Sequence, residues 1–415
     1  MVIYTTRHLL PVTSPPVVDG AVAIDNGKIV GAGRREDVLA DVSDDDVVLD
    51  LGDAVVLPGL VNAHTHLELS WMGKEPLPGG DFLTWVEAFI ERRENEDETE
   101  ARKAAEQAVE QMLARGTVAV ADVANGTWTP AVLARSPLWA VVFHEVFGFR
   151  PEEAGRILEE AAGHLDAMEA DAAASDGRVR VTLTPHAPHT TSAPLLKAMG
   201  GRAAAANAPL SIHVAESQVE VDFLQGGSKA FEELLRRRGM WEETWEPPRH
   251  SPVDYLDRLH VLSSSALAVH CVHLDQEDHS RLQSRGVTVV ACPRSNEHTG
   301  AGTAQIMKLL GEGIPVALGT DSLATTPDLD LFAEIAALVR LNPGLPPAAA
   351  LRMATLNGAR ALGLSETLGC IEPGKDAALI VIPLADPGDD PLETIASVPE
   401  QVYRLEDVPL EESDE

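Results

Sequence analysis

The chain has 415 residues, of which 45% are hydrophobic and 23% charged, and this composition excludes a mostly disordered protein. Its 32 basic and 65 acidic residues leave a formal net charge of −33, a field that repels phosphate backbones and anionic lipid and argues against nucleic-acid and membrane-surface partners. Three scattered cysteines cannot build a disulfide framework, and no basic-then-apolar leader or apolar run of ~18 residues is visible, so a soluble cytoplasmic protein is expected.

Residues 1–54 read as short strands and turns, the N-terminal part of a small β domain. Two β-type runs there are joined by Asp25-Asn26-Gly27, a strong hairpin signal. From residue 55 to 364 the rhythm changes to short apolar runs alternating with helical stretches. The runs VVLPGLVNAHTH, TVAVADV, WAVVFHEVFG, VRVTLTPHAP, PLSIHVAES, ALAVHCVHL, VTVVACPRSN and IPVALGTDS read as strands. Helical periodicity covers Thr84–Arg115, Pro151–Ala174, Ala193–Ala206 and Gln276–Arg285. Eight near-continuous apolar strands, most followed by helix, predict an α/β fold, a (β/α)8 TIM-like barrel. A link of about 218–265, carrying Trp241 and Trp245, is too long for a plain connection and reads as an insertion that shapes the site. Pro346–Leu364 is helical. Residues 365–415 return a strand to the N-terminal part, making a small β-sandwich from both chain ends, and finish in an acidic tail.

Active sites of such barrels lie at the C-terminal ends of the strands. The ends here are rich in histidine. The first strand ends in His64-Thr65-His66, the fourth in Pro185-His186, the fifth in His213 with Glu216 just beyond, the sixth in His270, the seventh in Arg294-Ser295-Asn296 and the eighth in Asp321-Ser322. In a strand, residues two apart project together, so His64 and His66 share a face. With His213 and Asp321 they make an N/O donor set suited to one divalent transition ion with a position left open for water. Zinc is the expected ion, with iron and manganese as alternatives.

Each residue also has a plainer reading. Asp321 suits a helix N-cap, Glu216 a first-turn carboxylate, and His270 a core histidine bonded to a carbonyl. Their joint placement favours hydrolysis: Glu216 as proton shuttle, His270 and Asp321 orienting the water. No lysine stands near the end of the fourth strand to bridge two ions; the nearest is Lys197.

These residues resemble the amidohydrolase superfamily over about residues 20–380. LPGLVNAHTHLELS is similar to its first-strand motif, and HVAES, AVHCVHL, CPRSN and LGTDS to its fifth- to eighth-strand motifs. The similarity is strongest to the branch of chlorohydrolases and nucleoside deaminases. Within it, HTHLELS, the Gly-Gly-Asp-Phe-x-x-Trp segment ending at Trp85, FHEVFG and the long insertion look like the aminofutalosine deaminase type, whose substrate lies on the route to menaquinone. The resemblance implies metal ligation by His64, His66, His213 and Asp321, catalysis by Glu216 and His270, and substrate contact by His186. It further points to Glu68, Glu145, Trp85 and Ser322 as substrate contacts. An arginine pair carried by nucleoside-deaminating relatives has no counterpart here beyond Arg150.

The expected reaction is hydrolytic deamination of an amino-purine nucleoside such as aminodeoxyfutalosine. The same site would also serve C–Cl, amide or amidine hydrolysis, or deamination of guanine or S-adenosylhomocysteine. A metal-free scaffolding protein is disfavoured because every ligand type is present. A small-molecule substrate is the expected partner, and a homodimer is one option for the assembly.

Overall fold

The computed structural model describes residues 1–40 and 42–409. Val2–Leu9 (β1) pairs antiparallel with Val17–Asp25 (β2), which turns back through Asn26 and Gly27 into Lys28–Arg34 (β3). Both turn residues are left-handed, with φ of 49° and 75°, as the Asn-Gly signal predicts. Val47–Asp50 (β4) and Ala54–Pro58 (β5) run parallel to successive parts of β1. Eight short strands follow: Leu60–Thr65 (β6), Thr117–Ala124 (β7), Trp139–Val146 (β8), Val179–Pro185 (β9), Leu210–Val214 (β10), Ala266–His270 (β11), Thr288–Ala291 (β12) and Val316–Leu318 (β13). Leu379–Pro383 (β14) and Tyr403–Arg404 (β15) complete the set.

The chain divides into two compact units. One holds Met1–Asn62, Glu110–Ala119 and the chain from Asp330 on. Its centre is a seven-stranded sheet in the order β15-β14-β5-β1-β2-β3 with β4 on β1, so strands from both chain ends share one sheet. Leu9, Val22, Ile29, Val56 and Val381 fill its core. The acidic tail expected at the C-terminus lies, from Leu410, outside the described residues.

The other unit holds Ala63–Val109 and Val120–Leu329. Two four-stranded sheets, β6-β7-β8-β9 and β10-β11-β12-β13, supply its framework. The pairs β8–β9, β10–β11, β11–β12 and β12–β13 are parallel. β6, β10, β11, β12 and β13 are buried along their whole length, which is why they read as unbroken apolar runs. A parallel bridge joins Thr65 to Asp321, so β6 and β13 meet at their C-terminal ends. At the ends of β9 and β10, the His213 amide donates to the His186 carbonyl at 2.9 Å.

The helices Ala193–Ala206 and Gln276–Arg285 fall where periodicity places them. The second opens on a capping box from Asp275 and Asp278 and stops at left-handed Gly286. The expected helix over Thr84–Arg115 is instead two, Phe82–Arg93 and Glu98–Ala114. The Asp97 carboxylate accepts the amides of Thr99 and Glu100 at 2.9 and 3.1 Å, and so starts a new helix where the pattern alone shows none. The link from Gln218 to Ser265 contains three short helices, Gln218–Gln225, Ala230–Arg237 and Pro252–Arg258. Its core is aromatic: Phe223 stacks on Trp245 at 4.5 Å, with Phe149, Phe231 and Trp241 around them. No described helix is long and apolar enough to cross a membrane.

Candidate active site

β6 carries His64, with His66 one residue past its end, and β10 brings His213 beside them. One ring nitrogen of each lies within 4.8 Å of those of the other two, and all three residues are buried. Burial and the neighbouring imidazoles hold the pKa values of His64 and His213 well below the usual histidine range. His66 is lowered to about 3 by burial and then by the Arg93 charge. Three neutral imidazoles facing one point are electron-pair donors awaiting an acceptor. Asp321, at the end of β13, places Oδ1 3.9 Å from His64 Nε2 and 3.8 Å from His66 Nε2.

The far edges of His213 and Asp321 are already bonded. His213 Nδ1 lies 3.0 Å from the His186 carbonyl oxygen, which fixes the tautomer and leaves Nε2 toward the cluster. Ser295 Oγ donates to Asp321 Oδ2 at 2.5 Å, leaving Oδ1. The arrangement fits a divalent ion: three imidazole nitrogens, one carboxylate oxygen and a second layer of hydrogen bonds behind them.

Glu216 and His270 face each other beside the cluster, with Glu216 Oε1 3.8 Å from His270 Nε2. The Glu216 carboxyl is pushed up to about 8 by burial and then by the Glu220 carboxylate. Such a group can take and give a proton near neutrality. Asn296 Oδ1 lies 2.8 Å from His270 Nδ1, so His270 turns Nε2 inward.

The other residues singled out in the sequence fall into two groups. His186 and Glu145 stand at the cluster. The His186 ring is 4.8 Å from that of His213 and is stacked by Phe147 at 4.3 Å. Glu145 has Oε1 3.5 Å from His213 Nδ1, accepts from Asn125 Nδ2 through Oε2 at 3.0 Å, and is raised to about 8 by burial. It also lines a cavity of about 380 Å³ with Phe147, Phe149, Arg150 and Met240.

Glu68 has both oxygens engaged, one with Arg93 at 2.5 Å and the other with the amides of Asn125 and Gly126 at 3.0 and 2.8 Å. Trp85 stacks on Phe89 and packs with Leu69, Met72 and Leu77. Ser322 is buried, and its carbonyl accepts from Thr325 and Thr326.

Comparison with known proteins follows the same line. Residues 55–403 match the family described as Amidohydrolase family. The chain belongs to the amidohydrolase family. This amidohydrolase is 32% identical over 390 residues to 5-methylthioadenosine/S-adenosylhomocysteine deaminase of Moorella thermoacetica, covering 91% of this chain and 85% of that one. It is 33% identical over 322 residues to aminodeoxyfutalosine deaminase of Deinococcus radiodurans, covering 75% and 74%. In structure it superposes on Helicobacter pylori aminofutalosine deaminase in complex with methylthio-coformycin with a TM-score of 0.85 over 97% of both chains. At 23% identity that likeness speaks for the fold. An adenosine deaminase from Xanthomonas campestris with bound zinc has a TM-score of 0.78 at 25% identity, covering 95% of this chain and 88% of that one.

The backbone conformation at several positions of this site carries no local signal. Ala215, His270, Cys271 and Asp321 have φ of 50°, 70°, 48° and 61°, left-handed backbone at four non-glycine positions. Such conformations cost on the order of 1 kcal/mol each and persist where the surroundings over-determine them. They turn the chain at the ends of β10, β11 and β13. Arg93, Asn125 and Glu220 also hold site residues, each through a partner that is distant or off the strand pattern. For Ser295 and Asn296 a signal exists: the sequence places them at the end of the seventh strand, and the structure puts them just beyond β12, in the helix Pro293–Thr299.

Proposed function

We propose that this amidohydrolase is a hydrolytic deaminase of an amino-purine nucleoside, with aminodeoxyfutalosine the first candidate substrate. The observation that carries the reading is the Glu216–His270 pair beside three neutral imidazoles and Asp321. The relatives named for 5-methylthioadenosine, S-adenosylhomocysteine and aminodeoxyfutalosine support the substrate class. The two four-stranded sheets would form one (β/α)8 barrel that presents these residues at one rim.

His64, His66, His213 and Asp321 would hold one divalent ion, zinc in the first instance, which when bound supplies Lewis-acid activation of water. The chain's own groups do the rest. His270 Nε2 and Asp321 orient the attacking water toward the ring carbon that bears the amine. Glu216 takes one proton of that water and delivers it to the adjacent ring nitrogen. The carbon–nitrogen bond then breaks, the second proton goes to the leaving nitrogen, and ammonia departs to leave a ring oxo group. Substrate contacts are assigned to His186 and Glu145, and also to Trp85 and Ser322. Glu68 takes part through Arg93, which it anchors.

Ammonia release tests the reading. Zinc-loaded protein is assayed with aminodeoxyfutalosine, 5-methylthioadenosine, S-adenosylhomocysteine, adenosine, guanine and a chlorotriazine. Turnover of aminodeoxyfutalosine well above the rest is expected. Release from another nucleoside keeps the deaminase and changes the substrate. Chloride release without ammonia, or neither with zinc bound, overturns the reading.

A further inference from the structure

Glu220 is 1% exposed, a carboxylate sealed in the protein five residues after Ala215. Its place in the sequence has an ordinary explanation. Ser217 caps the helix Gln218–Gln225 by accepting the Glu220 amide at 3.2 Å, and Ser-x-x-Glu is the capping-box pattern. In a capping box the glutamate reaches back to the amide of the cap residue itself. Here it reaches further. Oε1 accepts the amide of Ala215 at 2.9 Å and Oε2 accepts the amide of Glu216 at 2.9 Å. Both oxygens of one buried carboxylate thus hold the two peptide units that lead into Glu216.

The segment they hold needs holding. Ala215 is left-handed, with φ of 50°. Its carbonyl is bonded by the amides of Val272 and His273 at 3.0 and 2.9 Å, which ties the turn after β10 to the turn after β11 that carries His270. The turn is therefore pinned on its carbonyl side by backbone and on its amide side by Glu220. The Glu216 side chain leaves this turn toward His270.

We propose that Glu220 is a positioning residue for the reaction: its carboxylate fixes the Ala215–Glu216 backbone so that Glu216 faces His270, and it sets a negative charge behind Glu216. The inference rests on the reading of Glu216 as the proton carrier. The groups around the pair are His189, whose Nδ1 is 3.8 Å from Glu220 Oε1, His270 opposite Glu216, Cys271, whose thiol burial and then the Glu220 charge push up, and Asp321, whose carboxyl burial and, to a smaller extent, the Glu216 charge raise. The Glu220 charge raises the proton affinity of Glu216.

The test uses zinc-loaded full-length Glu220→Gln and Glu220→Asp beside wild type and Glu216→Gln. Glutamine offers one acceptor where two amides need one each, and it removes the charge. Aspartate keeps the charge and falls short by a methylene. In Glu220→Gln, zinc content is expected to hold, hydrogen exchange at the amides of Ala215 and Glu216 to quicken, and kcat to fall roughly 100-fold with KM little changed. The acidic limb of kcat/KM, which reports ionisation of Glu216, is expected at lower pH, because the neighbouring negative charge is gone. Glu220→Asp is expected to lose kcat and keep the limb, and it carries the test alone if the glutamine variant does not fold. Wild-type exchange and kcat in the two variants overturn the proposal. So does a lowered melting temperature with wild-type kcat and pH profile per zinc-loaded site. Full turnover in Glu216→Gln would instead remove the reading of Glu216 on which the proposal stands.

Discussion

Asn296 Oδ1 lies 2.8 Å from His270 Nδ1, so the amide selects which nitrogen of the imidazole faces Glu216. An amide oxygen accepts a hydrogen bond, so Nδ1 carries the proton and Nε2 is left with its lone pair toward Glu216. Asn296→Ala removes that selection without touching a ligand. Activity is expected to drop about 10- to 100-fold at unchanged zinc content, the scale on which such supporting bonds act. Metal analysis beside steady-state kinetics checks it; wild-type kcat/KM would show that the ring is held by other means.

The proton shuttle proposed for Glu216 has its own signature. Glu216→Gln keeps the size and the backbone bonds of the residue and removes its capacity to carry a proton. Turnover is expected to fall by about 100-fold or more, the usual contribution of a positioned acid–base group, with zinc retained. Retained activity would reassign the proton transfer to His270.

With Asp321 as a proposed ligand, metal uptake should depend on pH. Burial raises the Asp321 carboxyl to about 6, while His66 stays neutral down to about 3. Above pH 6 Asp321 is ionised and ready. Below it, binding must first remove its proton, so zinc affinity is expected to weaken by about tenfold per unit as pH falls from 6 toward 4. Chelator competition at pH 5 and 7 measures the slope. A flat response would exclude Asp321 from the ligand set.

Gly319 sits where β13 passes closest to β6. A Cβ there would lie 2.8 Å from His64 Cβ and 2.9 Å from the His64 backbone nitrogen and oxygen. Gly319→Ala is expected to cost roughly 1–3 kcal/mol, because a packed backbone cannot retreat as a side-chain tip can. It should also weaken zinc binding through the shifted His64. Thermal melts with and without zinc test both effects.

Much of this was legible before any coordinate. Two histidines spaced by one residue at the end of an apolar run can only share a face, so His64 and His66 follow from strand geometry. His213 and Asp321 were singled out because they end apolar runs, and the structure brings both beside that pair. The clamps did not follow. Arg93 reaches Glu68 across 25 residues, and Ser295 reaches Asp321 across 26, pairings made by tertiary neighbours rather than by any local pattern. The left-handed backbone at Ala215, His270, Cys271 and Asp321 was hidden for a different reason. Glycine advertises such a conformation, and none of these residues is glycine.

Those four left-handed residues set an order for heat damage. Each is uphill in isolation and is kept in place by its neighbours, as the Ala215 turn is by the amides of Val272 and His273. Loosening the ends of the strands should release them while the strand interiors stay paired. On slow warming, this protein should go silent at a temperature where its circular dichroism still reports a folded chain.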